Sequence, residues 1–200
     1  MRRDLEAVAL NPRPYKLSRR RFVGVAAAAA AAAGASCGGG SSPWGFLTVN
    51  EARTLASICD QIIPADQDAG AAWAGVVNYI DRQLCGPFKD LRQVYRYGLA
   101  AVDKVSLSLY GRPFADAPPE KQSELLTMME QGRAPGEAWR KIGSASFFGL
   151  LRDHTMQGFY GDPRHGGNHD RVSWKMLGLP YPPIRGRRQY DLTKTEPSGA

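Results

Sequence analysis

Cysteine and histidine are scarce here, three of each among 200 residues. With no Cys-x-x-Cys and no Cys-x-x-Cys-His, neither haem attachment nor a thiolate-held iron–sulfur cluster has its ligands. Past residue 35, no Gly-x-Gly-x-x-Gly follows a strand pattern, no Gly-rich loop ends in Lys-Ser/Thr, and no Gly-x-Ser-x-Gly elbow occurs. Dinucleotide binding, P-loop phosphate binding and serine-hydrolase chemistry therefore lack their usual carriers. Alternating apolar runs are missing too, which argues against a sheet. There is no internal repeat. Acidic residues are the minority: 19 Asp+Glu against 26 Lys+Arg, a formal net charge of +7. Seven of those cations (Arg2, Arg3, Arg13, Lys16, Arg19, Arg20, Arg21) precede residue 36, so the remaining chain is nearly balanced. No basic patch interleaved with aromatics is left to neutralise phosphates, and nucleic acid is not an expected partner.

What is present begins with residues 1–35, which read as an export signal. Ser18-Arg19-Arg20-Arg21-Phe22 precedes an alanine run from Ala26 to Ala33. A basic start, a short apolar stretch and a small-residue exit are the parts of a secretory signal. From Phe22 to Ala35 the apolar stretch falls short of the roughly 20 residues that span a bilayer. Paired arginines followed by Phe22 match the twin-arginine pattern, whose translocon carries folded proteins. The expected location is the periplasm. Two readings of the exit stand side by side. Cleavage after Ala35 satisfies the small-x-small rule, whereas Gly34-Ala35-Ser36-Cys37 reads as a lipobox that would acylate Cys37 and hold the chain on a membrane surface. Residues 36–45 form a Gly/Ser-rich tether.

Cys59 and Cys85 are candidates for a disulfide in an oxidising compartment. Against pairing, an antiparallel hairpin of their two helices would offset them by on the order of 14 Å, and Cys59 falls in an apolar stripe.

Residues 46–184 read as one all-α bundle. Thr48-Val49-Asn50-Glu51 is a capping box, followed by Leu55, Ile58, Cys59, Ile62 and Ile63 at helical spacing until Pro64. The spacing predicts further helices over Ala72–Leu84, over Lys89–Tyr110 (with Leu91, Val94, Tyr95, Val102, Val105 and Leu109 inward), from Pro119, and from Glu137 to about Gly158. Residues from Tyr160 to Pro183 are rich in Gly, Asp, Pro and aromatics, giving a long C-terminal loop region with one short helical turn near Val172–Leu177. Residues 185–200 read as a flexible basic tail.

Only one cluster invites a catalytic reading: His165 and His169 with Asp162, Asp170 and the more distant His154, a donor set suited to zinc. Gly166 and Gly167 lie between the first two histidines, so a helical ligand face is not expected. A glycine-permitted loop whose polar side chains bond to backbone is the competing reading. Aromatics on this loop, Tyr160 and Trp174, are expected to face outward as a binding surface.

Two stretches resemble a known family. Leu47-Thr48, with Ile58-Cys59-Asp60-Gln61-Ile62-Ile63-Pro64-Ala65-Asp66, is similar to the opening of subunit 3 of gluconate 2-dehydrogenase. Gly158-Phe159-Tyr160-Gly161-Asp162-Pro163-Arg164-His165-Gly166-Gly167-Asn168, with Trp174-Lys175-Met176-Leu177-Gly178-Leu179-Pro180, is similar to its more specific closing motif. His165 departs from the aromatic residue usual before Gly-Gly-Asn. The resemblance implies a non-catalytic small subunit holding no cofactor of its own. Its implied partners are a large FAD-dependent subunit that oxidises a sugar or sugar acid, and a haem-bearing cytochrome c. Joined to the leader, it implies an escort for the folded flavoprotein through the twin-arginine translocon. Tyr160, Asp162, Pro163, Gly166, Gly167, Asn168 and Trp174 are the expected docking residues. A stand-alone exported metal enzyme around His165, His169 and Asp162, and an exported scaffold with an unrelated partner, are the alternatives.

Overall fold

The structure, a computed structural model, describes residues 43–179. Ser18, Arg19, Arg20, Phe22, Cys37 and the basic tail lie outside the described residues. Six α-helices and no strand occur among the described residues: α1 Val49–Ile62, α2 Val76–Cys85, α3 Arg92–Tyr110, α4 Pro119–Glu130, α5 Ser144–Tyr160 and α6 Val172–Met176. The all-α expectation holds.

Local chemistry sets most of the boundaries. The Thr48 side chain accepts from the Glu51 N–H while Glu51 takes the Thr48 N–H, so the expected capping box starts α1. Pro119 occupies the first turn of α4, where its missing N–H costs nothing. Gly111, at φ 71°, closes α3 in the left-handed conformation that a Cβ disfavours.

Two helices differ from the pattern reading. The second starts at Val76 rather than Ala72, because the chain makes one tight turn that ends on Gly75 at φ 72°. The last long one is broken: Glu137–Arg140 forms a 3-10 turn, and Gly143 at φ 65° resets the chain before α5. Lys89–Leu91 is likewise a 3-10 turn ahead of α3. Apolar spacing alone cannot see a positive φ inside a run.

One core joins the helices. Leu55, Ile58 and Cys59 of α1 meet Val76, Ile80 and Leu84 of α2, Tyr95, Leu99 and Val102 of α3, Leu125 and Met129 of α4, and Phe147, Leu151 and Phe159 of α5. Ile62 and Ile63 are only partly buried, and Leu109, expected inside, is exposed at the solvent end of α3. Helices α3 and α5 approach closely at Gly98, where a Cβ would stand 2.3 Å from the Phe147 ring.

The incoming chain is pinned to the bundle by Asp81, which sits in the apolar stripe of α2. Its buried carboxylate accepts the backbone N–H groups of Gly45 (2.8 Å), Phe46 (2.9 Å) and Leu47 (2.9 Å). From α3, Arg96 donates to the Phe46 carbonyl at 2.8 Å, lies over the Phe46 ring and pairs with Glu51. Three backbone donors satisfy a carboxylate that would otherwise be costly to bury.

The C-terminal platform as candidate functional site

The residues after α5 form two 3-10 turns, Pro163–His165 and His169–Arg171, and then α6. The expected helical turn near Val172–Leu177 is therefore α6. The stretch before it is more ordered than its composition suggests, because side chains knit it to itself and to the bundle. Asn168, fully buried, donates from Nδ2 to the Gly161 carbonyl at 2.9 Å and accepts the Ser173 N–H on Oδ1 at 3.1 Å. The Trp174 indole N–H donates to the Tyr160 carbonyl at 2.8 Å, fastening α6 to the last residue of α5. Asp162 caps the first 3-10 turn by accepting the Arg164 N–H at 3.1 Å. The His169 N–H reaches the Ala74 carbonyl at 2.9 Å, tying the platform to the turn before α2.

Glycine is obligatory where this loop meets α5. A Cβ on Gly167 would stand 2.1 Å from the Gly158 carbonyl oxygen, so loop and helix backbones touch directly. Strain collects nearby. Asn168, Asp170 and Arg171 all have positive φ, at 46°, 52° and 58°. Non-glycine residues in that region cost on the order of 1 kcal/mol or more each, and such residues cluster at working sites.

This geometry divides the expected docking residues in two. Gly167, Asn168 and Trp174 are buried, and the outward-facing reading of Trp174 is corrected: its indole has a carbonyl to reach inside. These three build the platform. Tyr160, Asp162, Pro163 and Gly166 are half-buried. The outer face carries Arg164, His165, His169, Asp170 and Lys175, with Met176, Leu177 and Leu179 beyond them, all exposed. Trp73, also exposed, packs edge-to-face on His169 with ring centroids 5.1 Å apart.

This placement does not gather the side chains of the zinc reading. Among the described residues no three His, Cys, Asp or Glu side chains gather as a metal-ligating group. His165 Nε2 instead accepts from Arg164 Nε at 3.1 Å, while His169 lies against Trp73. His154 is in the core, stacked on Phe88 with its Nδ1 2.8 Å from the Tyr95 hydroxyl, and burial pushes its pKa down. Two open clefts, of about 370 and 400 Å³, lie elsewhere; none of the candidate metal or docking residues lines them.

The Cys59–Cys85 pairing is corrected as well: both thiols are free. Cys59 is buried with its sulfur accepting the Thr155 hydroxyl at 3.3 Å, and desolvation pushes its pKa up to about 12. Cys85 is exposed at the far end of α2.

Sequence reasoning missed Asp81, Trp73 and Ala74. A signal existed for the first. Val77, Ile80, Asp81 and Leu84 fall at the i, i+3, i+4, i+7 spacing of an apolar face, and an acid there needs donors to satisfy it.

Comparison with known proteins adds one finding. Neither the curated proteins nor the solved structures yield a match. The family model for gluconate 2-dehydrogenase subunit 3 matches residues 49–180, a span that runs from the capped start of α1 through the platform and α6. The chain belongs to the gluconate 2-dehydrogenase subunit 3 family.

Proposed function

We propose that this chain is the non-catalytic small subunit of a periplasmic, FAD-dependent sugar or sugar-acid dehydrogenase, and that it escorts the folded flavoprotein through twin-arginine export. One observation carries the reading: a domain of the subunit 3 family, over residues 49–180, shares a chain with the Ser18-Arg19-Arg20-Arg21-Phe22 leader. A flavoprotein that folds around FAD before export, and has no leader of its own, crosses only while bound to a subunit that has one. After export, binding only the folded form of the large subunit stabilises it by mass action. FAD belongs to that large subunit, and haem to a cytochrome c subunit that receives the electrons.

The docking face in this reading is the outer surface of the platform, with Arg164, His165, Lys175 and Leu177 exposed on a rigid base. Arginine and large apolar groups on a pre-organised surface are suited to a protein partner, because little ordering entropy is lost on contact.

The test is co-expression with the genomic neighbours, capture of this chain from the periplasmic or membrane fraction, and the flavin absorbance of the eluate. The expected result is a co-eluting flavoprotein that stays in the cytoplasm when Arg19 and Arg20 are both changed to Lys. A chain that elutes without flavin overturns the proposal.

A further inference from the structure

The two stretches that carry the family resemblance lie far apart in the sequence and converge on one short turn, residues 71–75. From the first, the Asp60 carboxylate accepts the Ala72 N–H at 2.8 Å, and the Ile63 carbonyl accepts the Ala71 N–H at 3.0 Å. From the second, the His169 N–H donates to the Ala74 carbonyl at 2.9 Å, and a Cβ on Gly75 would stand 3.3 Å from the Gly166 carbonyl oxygen. The turn also closes on itself, the Gly75 N–H donating to the Ala72 carbonyl at 3.1 Å. Its backbone is thereby held by the end of α1, by the platform and by its own bonds.

What this turn carries outward is Trp73. It is 46% exposed, whereas Trp139 and Trp174 are 7% and 8% exposed and Ala71 and Ala74, beside it on the turn, are fully buried. The edge-to-face contact with His169 fixes the indole ring against the platform without covering it. A large aromatic held in water on a fixed backbone has little ordering entropy left to lose when a partner covers it.

A cation stands on the other side of the same loop. Gly166 is at φ 102°, and a Cβ there would lie 2.9 Å from Cδ of Arg82 and 3.2 Å from its Nε and Nη1, so the exposed Arg82 side chain lies across the loop where the loop has no side chain of its own. Among the described residues Arg82 belongs to no ion pair, whereas Arg164 on the loop has Asp162 at 3.4 Å. Gly166, under Arg82, and His169, under Trp73, are separated by at most about 11 Å of chain. One patch therefore presents an exposed tryptophan and an uncompensated arginine, the two residue types that most often dominate binding energy, with Asp170 the exposed carboxylate nearby.

Resting on the small-subunit reading above, we propose that Trp73 and Arg82 form the centre of the docking surface, at the seam between the entry to α2 and the platform. The face they fit is an apolar socket on the large subunit with a carboxylate beside it: the socket takes the indole, and the carboxylate supplies the counter-charge that Arg82 lacks within its own chain.

The experiment uses the full chain and the flavoprotein it captures. Hydroxyl-radical labelling, read by mass spectrometry, should modify Trp73 far faster than Trp139 or Trp174 in the free chain, and about tenfold more slowly in the complex than in the free chain. Trp73→Ala should weaken the complex about thirtyfold or more at any salt concentration. Arg82→Glu should weaken it at low ionic strength, by a factor that shrinks in about 0.5 M salt as the charges are screened. Both variants should keep the wild-type melting temperature within about 3 °C, since neither side chain is in the core. Equal labelling of Trp73 in the free and bound wild-type chain overturns the inference whatever the variants do. Wild-type affinity in Trp73→Ala or Arg82→Glu overturns it while leaving the small-subunit reading in place. A wild-type chain that captures no flavoprotein overturns both.

Discussion

Asn168 does three things at once: it takes a left-handed backbone conformation at φ 46°, bonds the Gly161 carbonyl and accepts the Ser173 N–H. Few residues tolerate that φ while carrying both a donor and an acceptor on a short side chain. Asn168→Ala leaves two buried backbone groups unpaired and should lower unfolding stability by about 2–3 kcal/mol, read from urea denaturation. Asn168→Asp keeps the acceptor but loses the donor toward Gly161, and should fall between the two. At the same scale, His154 makes stability depend on pH. Burial lowers its folded pKa below the ordinary 6.5, and Nδ1 lies 2.8 Å from the Tyr95 hydroxyl. A lowered histidine pKa means that the unfolded chain takes up the proton first. Its contribution is therefore fully present above about pH 6.5 and is lost as pH falls toward the folded value. The slope is at most about 1.4 kcal/mol per pH unit. Denaturation midpoints at pH 7.5, 6.5 and 5.5 should fall in the wild type, and fall less in His154→Gln. Burial raises the pKa values of Asp60 and Asp103, which gives the opposite sign; both groups are kept in His154→Gln, so the difference between the two proteins isolates the histidine.

Helix α3 crosses α5 at Gly98, and this contact reverses an ordinary rule of helix propensity. Gly→Ala inside a helix normally stabilises by roughly 0.5–1 kcal/mol. Here the added methyl meets Cζ and both Cε atoms of Phe147 at 2.3–2.4 Å, and Phe147 is held by Tyr95 and Trp139. Gly98→Ala should therefore destabilise, by about 1–3 kcal/mol, with thermal melting as the readout. Gly98→Ala with Phe147→Leu should recover part of the loss, which a generic loss of helix stability would not allow. The same glycine marks how far the sequence could be read. Capping by Thr48 and Glu51, the Pro64 stop and the apolar stripes of α1 and α2 were legible because they are local, within one or two turns. Gly98 carries no local mark; its reason is a ring 49 positions away. The breaks at Gly75 and Gly143 were hidden for a related reason, since an apolar spacing can run through a residue of positive φ without changing. The closing motif was visible as a string of unusual residues. Which of them face inward, as Gly167, Asn168 and Trp174 do, depends on carbonyls of Gly158, Gly161 and Tyr160 that only the folded chain brings near.

For the whole molecule, the platform presents two classes of residue whose changes should have different consequences. Gly167, Asn168 and Trp174 hold it together from inside, whereas Arg164, His165, Lys175 and Leu177 lie exposed on its outer face. If the outer face meets the large subunit, substituting it alters binding and leaves folding alone, because exposed side chains away from caps and cores usually shift stability by less than about 0.5 kcal/mol. The combined variant Lys175→Glu, Leu177→Ser should retain the wild-type melting temperature within about 2 °C and lose at least tenfold in affinity for the flavoprotein. Affinity is read by titrating the captured flavoprotein with the purified chain. Gly167→Val behaves differently: its branched side chain is driven into the Gly158 carbonyl, so melting temperature and affinity should fall together while the helices of the bundle remain detectable by circular dichroism. An outer-face variant that binds as tightly as the wild type would move the docking surface off the platform. The knitted, strained loop would then serve only to close the end of the bundle between α2 and α5.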